Sequence, residues 1–522
     1  MIRLSSSLIF KEFNDEKKNN WFSLKDKKFL HNVDTFYYSV KLENDFTVNS
    51  VDRSCIFLRK YFNDLSIELK KTYDFILPLF ISGCEKYQLN LRPFSFASFY
   101  TINISCPELF DIFLAPVVPC SSNSECGSSV TSEILVQLRS CLLWQYGTTK
   151  AFEYSYDCIK ALCSFFHLTI REVKENRIDY CWHSNYLRSP AKFFNIENFR
   201  NMQVSRYKGV SYHYSFLPNN EVDNDYIALG KRSDKCFIRI YNKTREVVEQ
   251  GYKPWFLKEW LFNELISRYD FYVLEKALLK KSWSFSYIAR LQFYVENGSD
   301  PFYISECKSI IDGKIDKSID DIAALADMLT PVLTIITNVE YQTMRRMSKS
   351  YCLLKLRDNS CYGPAERIYT YLDNHSLITE YLTRATFRLV DYDSGESNRS
   401  RLDYCAFWKA LRNTKYIDVK KPPSYIRLLR DYTRKINIDI VKKRAMSSIT
   451  TYSLYLKGVN MDNLIDDAAS FINCLNDNDI YNMQHIKGKR INQISKLIIE
   501  NGFSVPSGSY QIYNVDTGQI GG

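Results

Sequence analysis

Cys236-Phe237-Ile238-Arg239-Ile240-Tyr241-Asn242-Lys243 reads as a β-strand with two unlike faces. Alternation puts Arg239, Tyr241 and Lys243 on one side and Ile238 and Ile240 on the other. A hydroxyl between two cations suits an enzyme that cleaves phosphodiesters. The cations would offset phosphate charge and favour phenolate over a neutral phenol of pKa about 10. The chain has 38 tyrosines, most of which must be ordinary packing residues, so spacing alone does not single out Tyr241, and the rest of the sequence must decide.

At 522 residues the chain calls for two or three domains. Its 45% hydrophobic and 25% charged composition, with 17 Gly and 14 Pro, is that of a globular protein. A net charge of +10 permits nucleic-acid binding without demanding it. The 15 cysteines are scattered, with no Cys-x-x-Cys and no secretory leader ahead of them, which fits a reducing cytoplasm. Cys120 and Cys126 flank a serine-rich loop and are either paired or two free thiols. No window is long and apolar enough for a membrane span. There is no GxxxxGK[ST] loop for an ATPase, no zinc-ribbon spacing and no His-x-His pair.

The pattern of elements predicts an α+β protein, with an antiparallel or mixed sheet flanked by helices and a mainly helical C-terminal domain. Residues 1–30 read as a polar extension, 31–303 as a layered α+β domain, and 304–522 as helical and basic. Strands are expected at Val33–Leu42, Phe99–Ile104, Leu168–His183, Tyr226–Tyr241 (around a turn at 230–234) and Ser286–Glu296. Helical patterns cover about 51–71, 133–167 (broken near Gly147), 258–281, 319–347 and 364–387, with a short helical turn at 107–113. Residues 401–450 carry 13 Lys/Arg against 4 Asp/Glu, interleaved with aromatics. Lys420, Lys421, Arg427 and Arg430 in this stretch are candidate DNA contacts, or else one solvated helical face.

A second constellation is Arg177-Ile178-Asp179-Tyr180-Cys181-Trp182-His183. On a strand, Asp179 and His183 share a face and could reach one divalent cation with Arg177 near phosphate. The alternative is two hydrogen-bonded core residues. A third, Ala289-Arg290-Leu291-Gln292-Phe293-Tyr294-Val295-Glu296, read as a strand, puts Arg290, Gln292 and Glu296 on its polar face.

The order Arg177-x-Asp179, then Gly230-Lys231-Arg232-Ser233-Asp234, then Arg239-x-Tyr241-Asn242-Lys243, then Arg290-x-Gln292 resembles the replication initiation factor family. These are rolling-circle initiators of plasmids, integrative elements and filamentous phages. The resemblance covers about residues 31–300 and implies a nicking enzyme with Tyr241 as nucleophile and Asp179 as a metal-site acid. Arg177, Arg239, Lys243 and Arg290 would lie along the scissile phosphate, with Lys231 and Arg232 as further DNA contacts. The family usually has Glu where this chain has Gln292, which leaves Glu296 or His183 to complete a Mg²⁺ or Mn²⁺ site. The implied reaction forms a 5′-phosphotyrosyl link on single-stranded or extruded origin DNA and frees a 3′-OH, with host helicase and polymerase as implied partners. A conjugative relaxase would use the same chemistry, and a non-catalytic origin-binding regulator would keep only the DNA surface.

Overall fold

The structure is a computed structural model, which describes residues 27–43, 60–68, 77–92, 100–115, 132–207, 209–216, 222–348, 363–392, 401–416, 438–457 and 472–487, with a few isolated positions besides. Lys420, Lys421, Arg427, Arg430, Cys120 and Cys126 lie outside the described residues. Among the described residues no helix is long and apolar enough to cross a membrane.

The fold is α+β, a large antiparallel sheet flanked by helices, with a helical C-terminal region. Its strands are β1 (Phe29–Leu42), β2 (Leu77–Pro78), β3 (Asn90–Arg92), β4 (Ile102–Cys106), β5 (Phe110–Leu114), β6 (Ile134–Leu138), β7 (Ile170–Ser184), β8 (Gln203–Ser205), β9 (Val210–Phe216), β10 (Val222–Leu229), β11 (Cys236–Asn242) and β12 (Thr337–Met344). All but β8 join one 11-stranded sheet in the order β2-β3-β4-β5-β6-β1-β7-β12-β11-β10-β9.

Period-2 alternation gives the central strands two different faces. Ile178, Tyr180 and Trp182 of β7, Val339 and Tyr341 of β12, and Ile238 and Ile240 of β11 belong to one apolar core. The opposite face carries Asp179, Cys181, His183, Asn338, Glu340, Arg239 and Tyr241. Helices cover part of it. The helices are α1 (Ser140–Tyr146), α2 (Thr148–Phe165), α3 (Lys243–Glu249), α4 (Pro254–Phe262), α5 (Arg268–Lys280), α6 (Phe285–Asn297), α7 (Pro301–Ile311) and α8 (Ile319–Leu329). Of these, α1 and α3 to α6 lie on this side, α2 packs into the main core of the other face through Phe152, Ile159 and Leu162, and α7 and α8 pack against α6. Phe256, Trp260, Tyr269 and Phe293 from this group pack with Trp144 and Cys181 into a second core.

Four expectations are corrected. Residues 286–296 form helix α6, because the buried positions Ser286, Ala289, Arg290 and Phe293 recur at the helical i, i+3, i+4, i+7 spacing. The alternation of Leu291, Phe293 and Val295 is incidental to it. The span 319–347 is helical over Ile319–Leu329 and again from Arg345, with the buried strand β12 between them. Residues 110–114 are strand β5 rather than helix, and 134–138 are strand β6. Finally, the chain divides into compact units at Leu429/Arg430 rather than at 303/304, since β12 pairs between β7 and β11 and binds residues beyond 304 into the main sheet. The second unit contains the helix Ile438–Lys457.

Arg290 shows what its own stripe is for. Its guanidinium donates to Asp327 Oδ1 at 2.6 Å, to the Ala326 and Thr330 carbonyls at 3.0 and 3.1 Å, and to Thr330 Oγ1 at 3.0 Å. It thereby adds a charged donor to the C-terminal end of α8, where the Ala326 carbonyl also accepts from the Thr330 N–H at 2.9 Å. Arg290→Ala is expected to lower stability by about 3 kcal/mol, measured by urea unfolding, because buried acceptors lose a charged donor.

The apolar core also encloses two neutral histidines. Burial pushes His31 and His375 down to about 3, against the help His31 gets from the Cys181 carbonyl at 2.9 Å. An unfolded histidine titrates near 6.5, so this stability is complete above that pH. It falls by about 1.4 kcal/mol per pH unit per histidine as pH drops from about 6.5 towards 3. His31 stacks on Trp182 at 3.9 Å. His31→Phe should keep that stacking and flatten the acid dependence by about one histidine's slope, as read from denaturation midpoints across pH.

Candidate active site

Three pieces of chain converge on one side of the sheet. In β1 the pairing with β7 slips between Val33 and Thr35, leaving Asp34 as the extra residue of a bulge. A bulge re-aims a side chain, and Asp34 turns into the polar face. In β11 and β12 the register sets Tyr241 opposite Asn338 and Arg239 opposite Glu340. At the end of β11, Asn242 caps α3 by accepting from the Arg245 backbone N–H at 3.0 Å, and the helix starts at Lys243.

The Tyr241 hydroxyl is the centre of a hydrogen-bond cluster. It donates to Glu340 Oε2 at 2.9 Å, and receives from Asn338 Nδ2 at 2.9 Å and from Lys243 Nζ at 3.3 Å. The other carboxylate oxygen of Glu340 pairs with Arg239. Lys243 in turn donates to Asp34 Oδ2 at 2.9 Å and lies 3.1 Å from Glu246, while Trp144 Nε1 donates to Asp34 Oδ1 at 2.6 Å. Asp34, Arg239, Tyr241, Lys243, Glu246 and Glu340 line a cleft of about 590 Å³ together with Arg177, Asp179, Arg232, Arg245 and Lys253.

Electrostatics depart from the expectation of a phenolate. Burial, seconded by the Glu340 charge, raises Tyr241 well above its usual range, against the pull of Lys243 and Arg239. The two flanking cations are turned towards carboxylates, so the hydroxyl keeps its proton and donates it to Glu340. Lys243 is held fully charged: burial opposes the charge, but Asp34 and its neighbours outweigh it. Burial would also raise Asp34, and Lys243 with His183 instead hold it well below the carboxylate range. Asp179 is lifted to about 6 by burial although Arg177 grips it with two bonds at 2.8 and 2.5 Å.

The structure thus brings Tyr241, Arg239, Lys243, Arg177, Asp179 and Arg232 to one cleft. Lys231 stays on the exposed β10–β11 turn, its backbone N–H bound to Asp234 Oδ2 at 2.7 Å. Gly230 opens that turn at φ +83°, where a Cβ would lie 2.9 Å from Asp234 Oδ2 and against Tyr207. Arg290, Gln292 and Glu296 are not lining residues. Gln292 accepts from Lys276 at 3.1 Å and Glu296 from Tyr272 at 2.7 Å, both on α5. Sequence reasoning missed Asp34, Asn338 and Glu340. The one available signal was the polar alternation Asn338, Glu340, Gln342 against Val339 and Tyr341.

A metal was expected at Asp179 and His183 with Gln292 and Glu296, and these residues are not assembled. Instead Asp34, Cys181 and His183 bring ligand atoms within 4.8 Å of one another. Their chemistry does not fit a hard cation. Trp260 Nε1–H donates to His183 Nδ1 at 3.1 Å, so the neutral ring carries its proton on Nε2, 3.7 Å from Asp34 Oδ2. A protonated nitrogen is no ligand. Burial pushes the Cys181 thiol far up, and it donates to the Asn32 carbonyl at 3.3 Å. Asp34 already holds the Lys243 ammonium, and Mg²⁺ prefers an all-oxygen shell.

No family model matches the chain, and no curated protein matches it. Among solved structures the chain is similar to a rolling circle replication initiator protein from Geobacillus stearothermophilus, at 12% identity and a TM-score of 0.32, over 74% of this chain and 95% of that one.

Proposed function

We propose that this chain is a DNA strand transferase of the rolling-circle kind, which cleaves and rejoins single-stranded origin DNA through Tyr241. The observation that carries this reading is the Tyr241 hydroxyl donating to Glu340 at 2.9 Å in a cleft lined by arginines and lysines. A buried phenol far from its own titration range needs a base, and Glu340 is placed to be one. As the phenolic oxygen bonds to phosphorus its proton passes to Glu340. The P–O3′ bond breaks and the 3′-oxygen takes a proton from water. The energy of the broken bond is kept in the phosphotyrosine, so the reverse reaction rejoins the strand.

The neighbouring cations serve the charge that develops on the phosphate. Lys243 is held 3.3 Å from the nucleophile, and Arg239 is braced by Glu340; fixed donors of this kind need no rearrangement during reaction. Asn338 Nδ2 orients the hydroxyl. Arg177 and Arg232 extend the basic lining for flanking phosphates. The ordered motifs Arg177-x-Asp179, Gly230–Asp234 and Arg239-x-Tyr241-Asn242-Lys243 support the same reading. A degenerate, binding-only site was suggested by Gln292. With Gln292 on α6 and an acid present at Glu340, that ground is gone.

Tyr241→Phe should abolish the covalent adduct on an origin oligonucleotide, seen as loss of the shifted band in a denaturing gel, with oligonucleotide affinity kept. An undiminished adduct would overturn the assignment. Glu340→Gln keeps a hydrogen-bond acceptor but removes the base, and should slow adduct formation by about 10²–10⁴-fold. A Glu340→Gln rate equal to that of the unaltered protein would assign the proton to another group.

A further inference from the structure

We infer that the cleft performs its strand transfer without a divalent cation, its positive charge being supplied by resident side chains. The inference rests on the strand-transfer reading above and on how the charges of the cleft are already paired. Each acidic group that lines it is engaged by a protein cation. Asp34 and Glu246 share Lys243, at 2.9 and 3.1 Å, and Glu246 also takes Lys253 at 2.5 Å. Asp179 is forked by Arg177 at 2.5 and 2.8 Å, Glu340 is paired with Arg239, and Glu249 is paired with Arg245 at 3.2 Å.

A hard dication needs carboxylates, and each carboxylate group here is already paired with a buried or half-buried cation, from which binding would have to remove it. That removal leaves an uncompensated charge, the costly outcome for a buried pair. The cluster Asp34–Cys181–His183 offers no way round this, with its ammonium on Asp34 and its proton on His183 Nε2. Among the described residues the cleft presents six cations (Arg177, Arg232, Arg239, Lys243, Arg245 and Lys253) against the five acids already named. Arg232 is the one without a carboxylate partner among the described residues. The cleft therefore meets a phosphodiester, which carries one negative charge, with one uncompensated cation. Lys243, fixed from behind by Asp34 and 3.3 Å from the attacking oxygen, stands where a metal would otherwise offset the charge of the reacting phosphate.

Two measurements on the full chain test this. The first follows adduct formation on an origin oligonucleotide after exhaustive chelation and again with added Mg²⁺ or Mn²⁺. The second titrates the DNA-free protein with Mn²⁺ by electron paramagnetic resonance. The expected result is an adduct rate in chelator within about threefold of that with Mg²⁺, where a site that used a metal as Lewis acid would lose about 10³-fold or more. Mn²⁺ should show no saturable site that Glu340→Gln or Asp34→Asn removes. Loss of adduct in chelator with recovery on Mg²⁺ would overturn the inference while leaving the tyrosine assignment intact. A Mn²⁺ site abolished by either variant would overturn it too. Absence of adduct under every condition would instead count against the strand-transfer reading, and the Mn²⁺ titration would then decide the cation question alone.

Discussion

The Asp34–Lys243 ion pair is the constraint on which the site depends. It joins the bulge of β1 to the first residue of α3 at 2.9 Å, in the lining of the cleft. A buried pair of this kind adds little net stability, but losing either partner is expensive. Its value here is positional. Lys243 cannot swing to solvent, because Asp34, itself fixed by Trp144 and faced by His183, holds it from the rear. The same ammonium then reaches the Tyr241 hydroxyl, so the geometry around the tyrosine is set by a contact from a strand three places away in the sheet.

Antiparallel register does the remaining alignment. Residues directly opposite on neighbouring strands share a face, which lines up Tyr241 with Asn338 and Arg239 with Glu340. Cys181 and His183 lie one strand further across. The opposite face of the same strands carries Ile178, Tyr180, Trp182, Val339, Tyr341, Ile238 and Ile240 and anchors them in the main core. The second core of α4, α5 and α6 closes over His183 and Lys243 and leaves Tyr241, Arg239 and Arg177 open to the cleft. One sheet thus holds the side chains of the cleft in place by burying both its reverse side and one end of its polar side.

Much of this was legible in the chain itself. The strands around Tyr241 and Asp179 and the Gly230 turn follow from alternation and turn chemistry. The clustering of Arg177, Asp179, Arg239, Tyr241 and Lys243 agrees with the ordered motifs that drew attention to them. The errors had physical causes. The stretch 286–296 satisfies a period of 2 and a period of 3.6 at once, and only the docking of Arg290 under α8 selects the helix. In β12, Thr337–Met344 carries Asn, Glu and Gln at alternate places. It reads as polar, yet it is buried because its neighbours supply hydrogen-bond partners on both sides.

The sequence by itself therefore determined which strand carries the tyrosine, which residues flank it and the α+β class, since these follow from local periodicity. Tertiary structure alone decided that the tyrosine is a neutral donor rather than a phenolate. It also decided that its acid partner is Glu340 and that the cleft's carboxylates face cations of the protein. Those outcomes depend on burial and on charges brought together from residues 34, 243 and 340, and no local spacing encodes a pairing made across strands.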